Sequence, residues 1–101
     1  MTINGERWRI LFVSSWHSAL LTDQGFYTLG VCDDDSKTIY VSLNLSKAKL
    51  KKVLCHELVH AAMFSYNIDM SLEQEEMVAD LIATFGHEII RNTNKVFFDV
   101  I

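Results

Sequence analysis

The chain has 101 residues, the size of one small domain, so residues 1–101 are interpreted as a single domain. Half of the residues are hydrophobic, four are glycine and none is proline, which excludes a disordered or low-complexity chain. Two cysteines, Cys32 and Cys55, are too few for a disulfide scaffold, so the fold must depend on packing, with or without a metal.

The charge and the N-terminal sequence indicate which partners to expect. The formal net charge of −4 disfavours nucleic acid as a partner, because general nucleic-acid binders carry the opposite sign. The first residues contain no apolar run that ends in small residues, so no signal peptide is expected. No stretch of about 18 apolar residues is present, so no membrane span is expected either. Free thiols then favour a reducing, cytoplasmic setting.

The first half of the chain carries strand patterns. Residues 6–14 begin with alternation and become continuously apolar, as expected for a strand that enters a core. Residues 16–21 fit either a loop or a short helix. Residues 25–32 and 38–45 are both strand-like, and the polar turn formers at 33–37 between them predict a hairpin.

The second half carries helical patterns. Ser46 is a suitable N-cap for a helix over residues 47–66. Ser71, with Gln74 three positions later, forms a capping box that predicts a second helix to about residue 91. The last residues, 95–101, are too apolar for a solvated end. We expect them to pack on something, by covering a cleft, adding a strand or contacting a second copy.

A metal-binding pattern lies in the first helix. His56, Glu57 and His60 form an HExxH sequence, and positions i and i+4 of a helix project from one face. Both imidazoles can therefore reach one zinc ion, and Glu57 can take a proton from water at such a site.

The alternative is that this pattern arose by chance. At average composition it would occur in a chain of this length on the order of a few times in a thousand. A chance match should lie on a solvated face, whereas residues 53–64 are apolar almost all round. Polar groups in such a run need partners, and either a metal or hydrogen-bonded neighbours could supply them.

A catalytic zinc site needs a third protein ligand. The candidates are the acidic residues of the second helix, namely Glu73, Glu75, Glu76 and Asp80. Glu76 and Asp80 share a helix face, so Glu76 could be a ligand while Asp80 accepts a hydrogen bond from a ligating imidazole. The alternative for the glutamates is that they complement the helix dipole, but Asp80 lies too deep in the helix for that role.

Two segments resemble a known family. Residues 55–62 (CHELVHAA) and 76–83 (EMVADLIA) are similar to the gluzincin metallopeptidases, and most of all to the small ImmA/IrrE-like family; SprT-like proteases and minigluzincins are close competitors. The resemblance implies that His56, His60 and Glu76 bind zinc, that Glu57 is the general base, and that Asp80 orients an imidazole. It implies an α+β, minimal zincin-like fold, with about three strands packed on two long helices.

The implied function is zinc-dependent cleavage of a peptide or protein substrate, such as a transcriptional repressor. Residues 38–45 would form the sheet edge over the cleft, where a substrate could add as a further strand. The candidates for stabilising an oxyanion are Tyr27, Tyr40, Tyr66, His17 and His87. The rival is a non-catalytic, zinc-stabilised interaction or regulatory module. A third possibility is an acidic or DNA partner for four lysines at positions 47, 49, 51 and 52, although a solvated helix start explains them as well.

Overall fold

The structure is a computed structural model that describes residues 1–101, and it shows an α+β fold. The strands are β1 (Thr2–Ile3), β2 (Glu6–Arg7), β3 (Arg9–Val13), β4 (Gly30–Asp33) and β5 (Thr38–Ser42). The helices are α1 (Lys47–Ser65), α2 (Leu72–Leu81) and α3 (His87–Val100), with a short 3₁₀ helix at Ser18–Leu20 and a π-helical turn at Ile82–Gly86. The predicted fold class is therefore confirmed.

The strands form two small sheets. β1 and β2 are an antiparallel pair, while the main sheet has the order β3–β5–β4. In the main sheet β5 runs parallel to β3 and antiparallel to β4. The prediction that residues 38–45 form the sheet edge is thus wrong, because β5 is the central strand. The free edge next to the helices belongs to β4. Strand alternation predicts which face of a strand is buried but not which strands are its neighbours, so the sequence did not predict this order.

The predicted hairpin is confirmed, although both of its strands are shorter than the predicted 25–32 and 38–45. β4 and β5 pair with Val31 opposite Tyr40, and the turn between them closes at Lys37 with a positive φ of 51°. Residues 16–21 contain the short 3₁₀ helix, whose Leu20 is fully buried.

The core lies between the main sheet and α1. Trp8, Ile39, Val41 and Ala61 are each at most 1% exposed and contact one another. The indole Nε1 of Trp8 donates a hydrogen bond of 2.8 Å to Ser65 Oγ at the end of α1. This buried contact fixes α1 against the start of the chain, because a lone indole N–H would be costly there.

The helix starts follow the capping prediction. Ser46 Oγ accepts a hydrogen bond from the Lys49 amide (3.2 Å), and Ser71 with Gln74 forms both bonds of a capping box. The two caps set where α1 and α2 begin, and α2 then returns along α1. One sheet and one helix do not enclose α1 completely, so Phe64 remains 40% exposed.

The second helical segment is longer than predicted. It passes through the π-helical turn and continues to Val100, and α3 has no buried residue. Of the contacts expected for residues 95–101, covering a cleft and adding a strand are wrong, because residues 95–100 are helical and all of 95–101 is exposed; contact with a second copy stays a prediction. An apolar composition favours burial but does not ensure that the chain's own core lies within reach. None of the helices combines the length and the apolar character needed to cross a membrane.

Candidate metal centre

Two imidazoles of α1 form the base of the candidate site. His56 and His60 lie one helical turn apart, and their Nε2 atoms are 3.1 Å apart. His60 is buried and His56 is partly buried, as expected for the inner face of a helix covered by a sheet and a second helix. Both rings therefore present the same nitrogen to one point.

Glu76 of α2 completes the group. Its Oε2 lies 3.2 Å from His56 Nε2, and its Oε1 lies 2.9 Å from His60 Nε2. These three residues offer ligand atoms that all lie within 4.8 Å of one another. The structure thus brings together the three residues predicted as ligands, since the turn between α1 and α2 folds the two helices side by side.

The donor set fits a divalent cation. Tetrahedral ligands about 2.0–2.1 Å from a zinc ion lie roughly 3.3–3.4 Å from each other. The two Nε2 atoms are 3.1 Å apart and lie 3.2 and 2.9 Å from the two oxygens of Glu76. Imidazole nitrogen and carboxylate oxygen are ordinary zinc ligands. Only three residues belong to the group, so a zinc ion here would keep a position open.

Hydrogen bonds on the far side of each ring orient the two histidines. His56 Nδ1 donates to Asp80 Oδ1 (2.9 Å), and His60 Nδ1 donates to Glu75 Oε1 (2.6 Å). Because an ionised carboxylate can only accept, each Nδ1 is the donor in its hydrogen bond, which leaves Nε2 as the nitrogen that could bind a metal. The two Nε2 atoms and a carboxylate then face one point.

The contact of Asp80 with His56 is the one that the sequence predicted, whereas Glu75 was named there only among the candidate ligands. Glu75 has a side chain that is 17% exposed, compared with 48% for Glu76. One signal could have identified it: two ligating histidines need two Nδ1 acceptors, and Asp80 can serve only one ring. Two acidic candidates then remain, Glu73 and Glu75, and Glu75 is the one adjacent to Glu76.

Glu57 lies beside this group and under the edge of β4. Its residue surface is 8% exposed. Burial raises the pKa of the Glu57 carboxyl, and the charge of Glu76 adds to this, while His56 and His60 oppose it. A Cβ placed on Gly30 would lie 3.1 Å from Glu57 Oε2, so this glycine allows the strand and the carboxylate to approach closely.

Two cavities open on either side of Glu57. One, of about 280 Å³, is lined by Thr28, Leu29, Gly30, Lys49, Lys52, Val53, His56, Glu57 and Asp80. The other, of about 220 Å³, is lined by Cys32, Glu57, His60, Phe64, Leu72, Glu75 and Glu76. Glu57 is therefore reachable from both sides of the histidine pair.

The five residues considered for oxyanion stabilisation line neither cavity. Tyr27 packs against Trp16 at 5.1 Å between ring centroids, and His17 stacks on Tyr40 at 5.8 Å. Tyr66 caps the end of α1, and His87 lies at the start of α3.

The comparisons with known proteins returned no relative. No protein-family model, curated protein or solved structure matches the chain significantly. The resemblance to gluzincins therefore rests on residues 55–62 and 76–83 alone, and the interpretation of the site rests on its geometry.

Proposed function

We propose that the chain is a zinc-dependent endopeptidase of the gluzincin type. One observation carries the proposal: the Nε2 atoms of His56 and His60 and the carboxylate of Glu76 face one point, while both Nδ1 atoms lie within hydrogen-bond distance of other carboxylates. A set of two histidines and one glutamate is typical of hydrolytic zinc sites. A zinc ion there would supply a positive charge that polarises the scissile carbonyl and acidifies water.

Glu57 is the proposed general base. Its carboxylate accepts a proton from the attacking water and later delivers this proton to the nitrogen of the leaving amine. Burial supports this role, because a raised pKa brings a carboxylate closer to the range in which it can both take and return a proton. The cavities on both sides give substrate access to it.

The free edge of β4 is the proposed place for the substrate main chain. Ser42 N donates to Leu29 O (2.9 Å), which sets the alternation of the β4–β5 ladder. The main-chain groups of Gly30 and Cys32 consequently point away from β5. An extended peptide could pair with these groups as an added strand and so pass alongside Glu57. A regulatory protein such as a repressor remains the proposed substrate on the family resemblance alone.

The Glu57→Gln variant tests the proposed chemistry. It should bind zinc like the parent chain but lose at least about 100-fold in cleavage of unfolded casein, because general-base catalysis contributes roughly 10²–10⁴-fold. Glu73→Gln, the same change on an exposed residue of α2, is the matched control and should leave cleavage unchanged. Cleavage that survives Glu57→Gln would contradict the mechanism. A parent chain that holds zinc and cleaves nothing would instead support the non-catalytic interaction module.

A further inference from the structure

The lysines at the start of α1 are not equivalent. Lys49 and Lys52 line the 280 Å³ cavity beside Glu57, whereas Lys47 and Lys51 line no cavity. Neither Lys49 nor Lys52 has a carboxylate oxygen within 4.0 Å, because the salt bridges of the chain involve Lys37, His56 and His60 only. Two cations without a partner therefore flank the proposed reaction centre.

The rest of this cavity suits a short carboxylate-bearing group. Leu29 and Val53 supply apolar wall, and Gly30 supplies the start of the free strand edge. The only other carboxylate in the wall besides Glu57 is Asp80, and it already accepts a hydrogen bond from His56. The two lysines that line this cavity have no internal carboxylate partner, so their ammonium groups are free to bind a negative group that enters here.

The cavity on the other side of Glu57 has the opposite character. Its wall carries the apolar side chains of Phe64 and Leu72, and it carries Glu75 and Glu76 without any lysine or arginine. A substrate carboxylate placed there would face two acidic residues at close range. The two sides of the cleft therefore discriminate by charge, and a carboxylate fits one side only.

We infer that Lys49 and Lys52 form a carboxylate-binding subsite, which selects peptides with a carboxylate on the Gly30 side of the scissile bond. The inference rests on the proposed peptidase function and adds a substrate class to it. The carboxylate can come from an aspartate or glutamate side chain or from the C-terminus of the substrate, since both present the same two oxygens.

The test uses zinc-loaded protein and a set of alanine-based peptides. One glutamate, or the neutral isostere glutamine, is moved through every position, and each peptide is made with a free or an amidated C-terminus. Two contacts with exposed lysines should raise kcat/KM about tenfold for glutamate over glutamine at one position. A loss of kcat/KM on amidation, with equal values for glutamate and glutamine, identifies the terminal carboxylate as the source. A preference for glutamate that persists in the amidated peptides identifies the side chain.

A pair of double variants distinguishes direct contact with the two lysines from general electrostatic attraction of the substrate. Lys49→Ala/Lys52→Ala should reduce the ratio of kcat/KM for glutamate over glutamine to about one, while Lys47→Ala/Lys51→Ala should leave this ratio unchanged. Both variants remove two positive charges from the same helix. Measurements at 0.15 M salt suppress long-range effects. The inference would be overturned if, in the parent chain, kcat/KM were equal for glutamate and glutamine at every position and also unchanged by amidation. Equal losses in both double variants would overturn it as well.

A binding measurement keeps this result distinct from that of the peptidase proposal. In nuclear magnetic resonance titrations of the parent protein, the glutamate peptide should shift the amide signals of Gly30 and Val53 at lower concentration than the glutamine peptide, with or without cleavage. If no peptide is cleaved but this difference appears, the peptidase proposal fails and the carboxylate subsite stands. Equal titration curves for the glutamate and glutamine peptides, with free and with amidated C-termini, would overturn the subsite itself.

Discussion

Replacement of Gly30 by alanine should perturb both the stability and the chemistry of the site. The φ angle of Gly30 is not in the positive range, so the backbone accepts alanine without strain. The added Cβ, however, would lie 2.8 Å from Val53 Cγ1 and 3.0 Å from Glu57 Cγ. Carbon atoms pack best at about 3.5–4.0 Å, so β4 or α1 must move by roughly 0.5–1 Å.

The size of the effect follows from this overlap. Overpacking of this kind costs about 1–3 kcal/mol in the free energy of unfolding. For a chain of this size, 2 kcal/mol corresponds to a decrease in Tm of roughly 8–16 °C. Glu57 Oε2 is itself 3.1 Å from the new Cβ, so the carboxylate should be displaced. A displacement near 1 Å can cost on the order of 100-fold in rate.

Urea denaturation of four proteins tests the reasoning: the parent, Gly30→Ala, Val53→Ala and the double variant. Because Val53→Ala removes the nearest clashing atom, the double variant should be more stable than the sum of the single effects predicts, by about 1 kcal/mol or more. A change below about 0.5 kcal/mol for Gly30→Ala, or purely additive effects in the double variant, would refute the account of this contact.

Three further predictions follow from other parts of the structure. Glu75→Ala and Asp80→Ala should each weaken zinc binding about 10–100-fold in a competition titration, and unchanged affinity beside the Glu73→Ala control would contradict the orienting role. Burial raises the pKa of the Cys32 thiol to about 12. At pH 8, iodoacetamide should therefore alkylate this thiol roughly a thousandfold more slowly in the folded, metal-free protein than in urea. Equal alkylation rates, measured by mass spectrometry, would show that Cys32 is accessible as the thiolate. Removal of residues 95–101 should decrease the binding of a hydrophobic dye and change the unfolding free energy by less than about 0.5 kcal/mol, because the side chains of these residues are exposed. Increased dye binding would mean that residues 95–101 cover an apolar surface.

The sequence predicted those parts of the site that depend on helical periodicity. The i, i+4 spacing of His56 and His60 fixes their common face wherever the helix lies, and the same spacing relates Glu76 to Asp80. The capping box at Ser71 fixed the start of α2. Local rules therefore produced the ligand candidates, and only the approach of the two helices had to be supplied by the fold.

Features that depend on long-range neighbours were not predictable. Strand alternation gave the faces of residues 38–45 but not the position of this strand between β3 and β4. The partner of His60 Nδ1 depends on the side-by-side placement of α1 and α2, which brings Glu75 to within 2.6 Å. Likewise, Lys49 lines the 280 Å³ cavity and Lys51 does not, because the edge of β4 lies above Lys49 only.

X-ray absorption spectroscopy of the zinc-loaded chain shows directly whether His56, His60 and Glu76 bind a zinc ion. We expect one zinc ion per chain with two nitrogen ligands at about 2.0–2.1 Å, the remaining ligands being oxygen atoms at about 2.0–2.2 Å. Substitution of Glu76 by alanine should remove zinc or change the oxygen shell. A sulfur shell near 2.3 Å, which would place Cys32 in the coordination sphere, or a chain that retains no zinc, would contradict the claim.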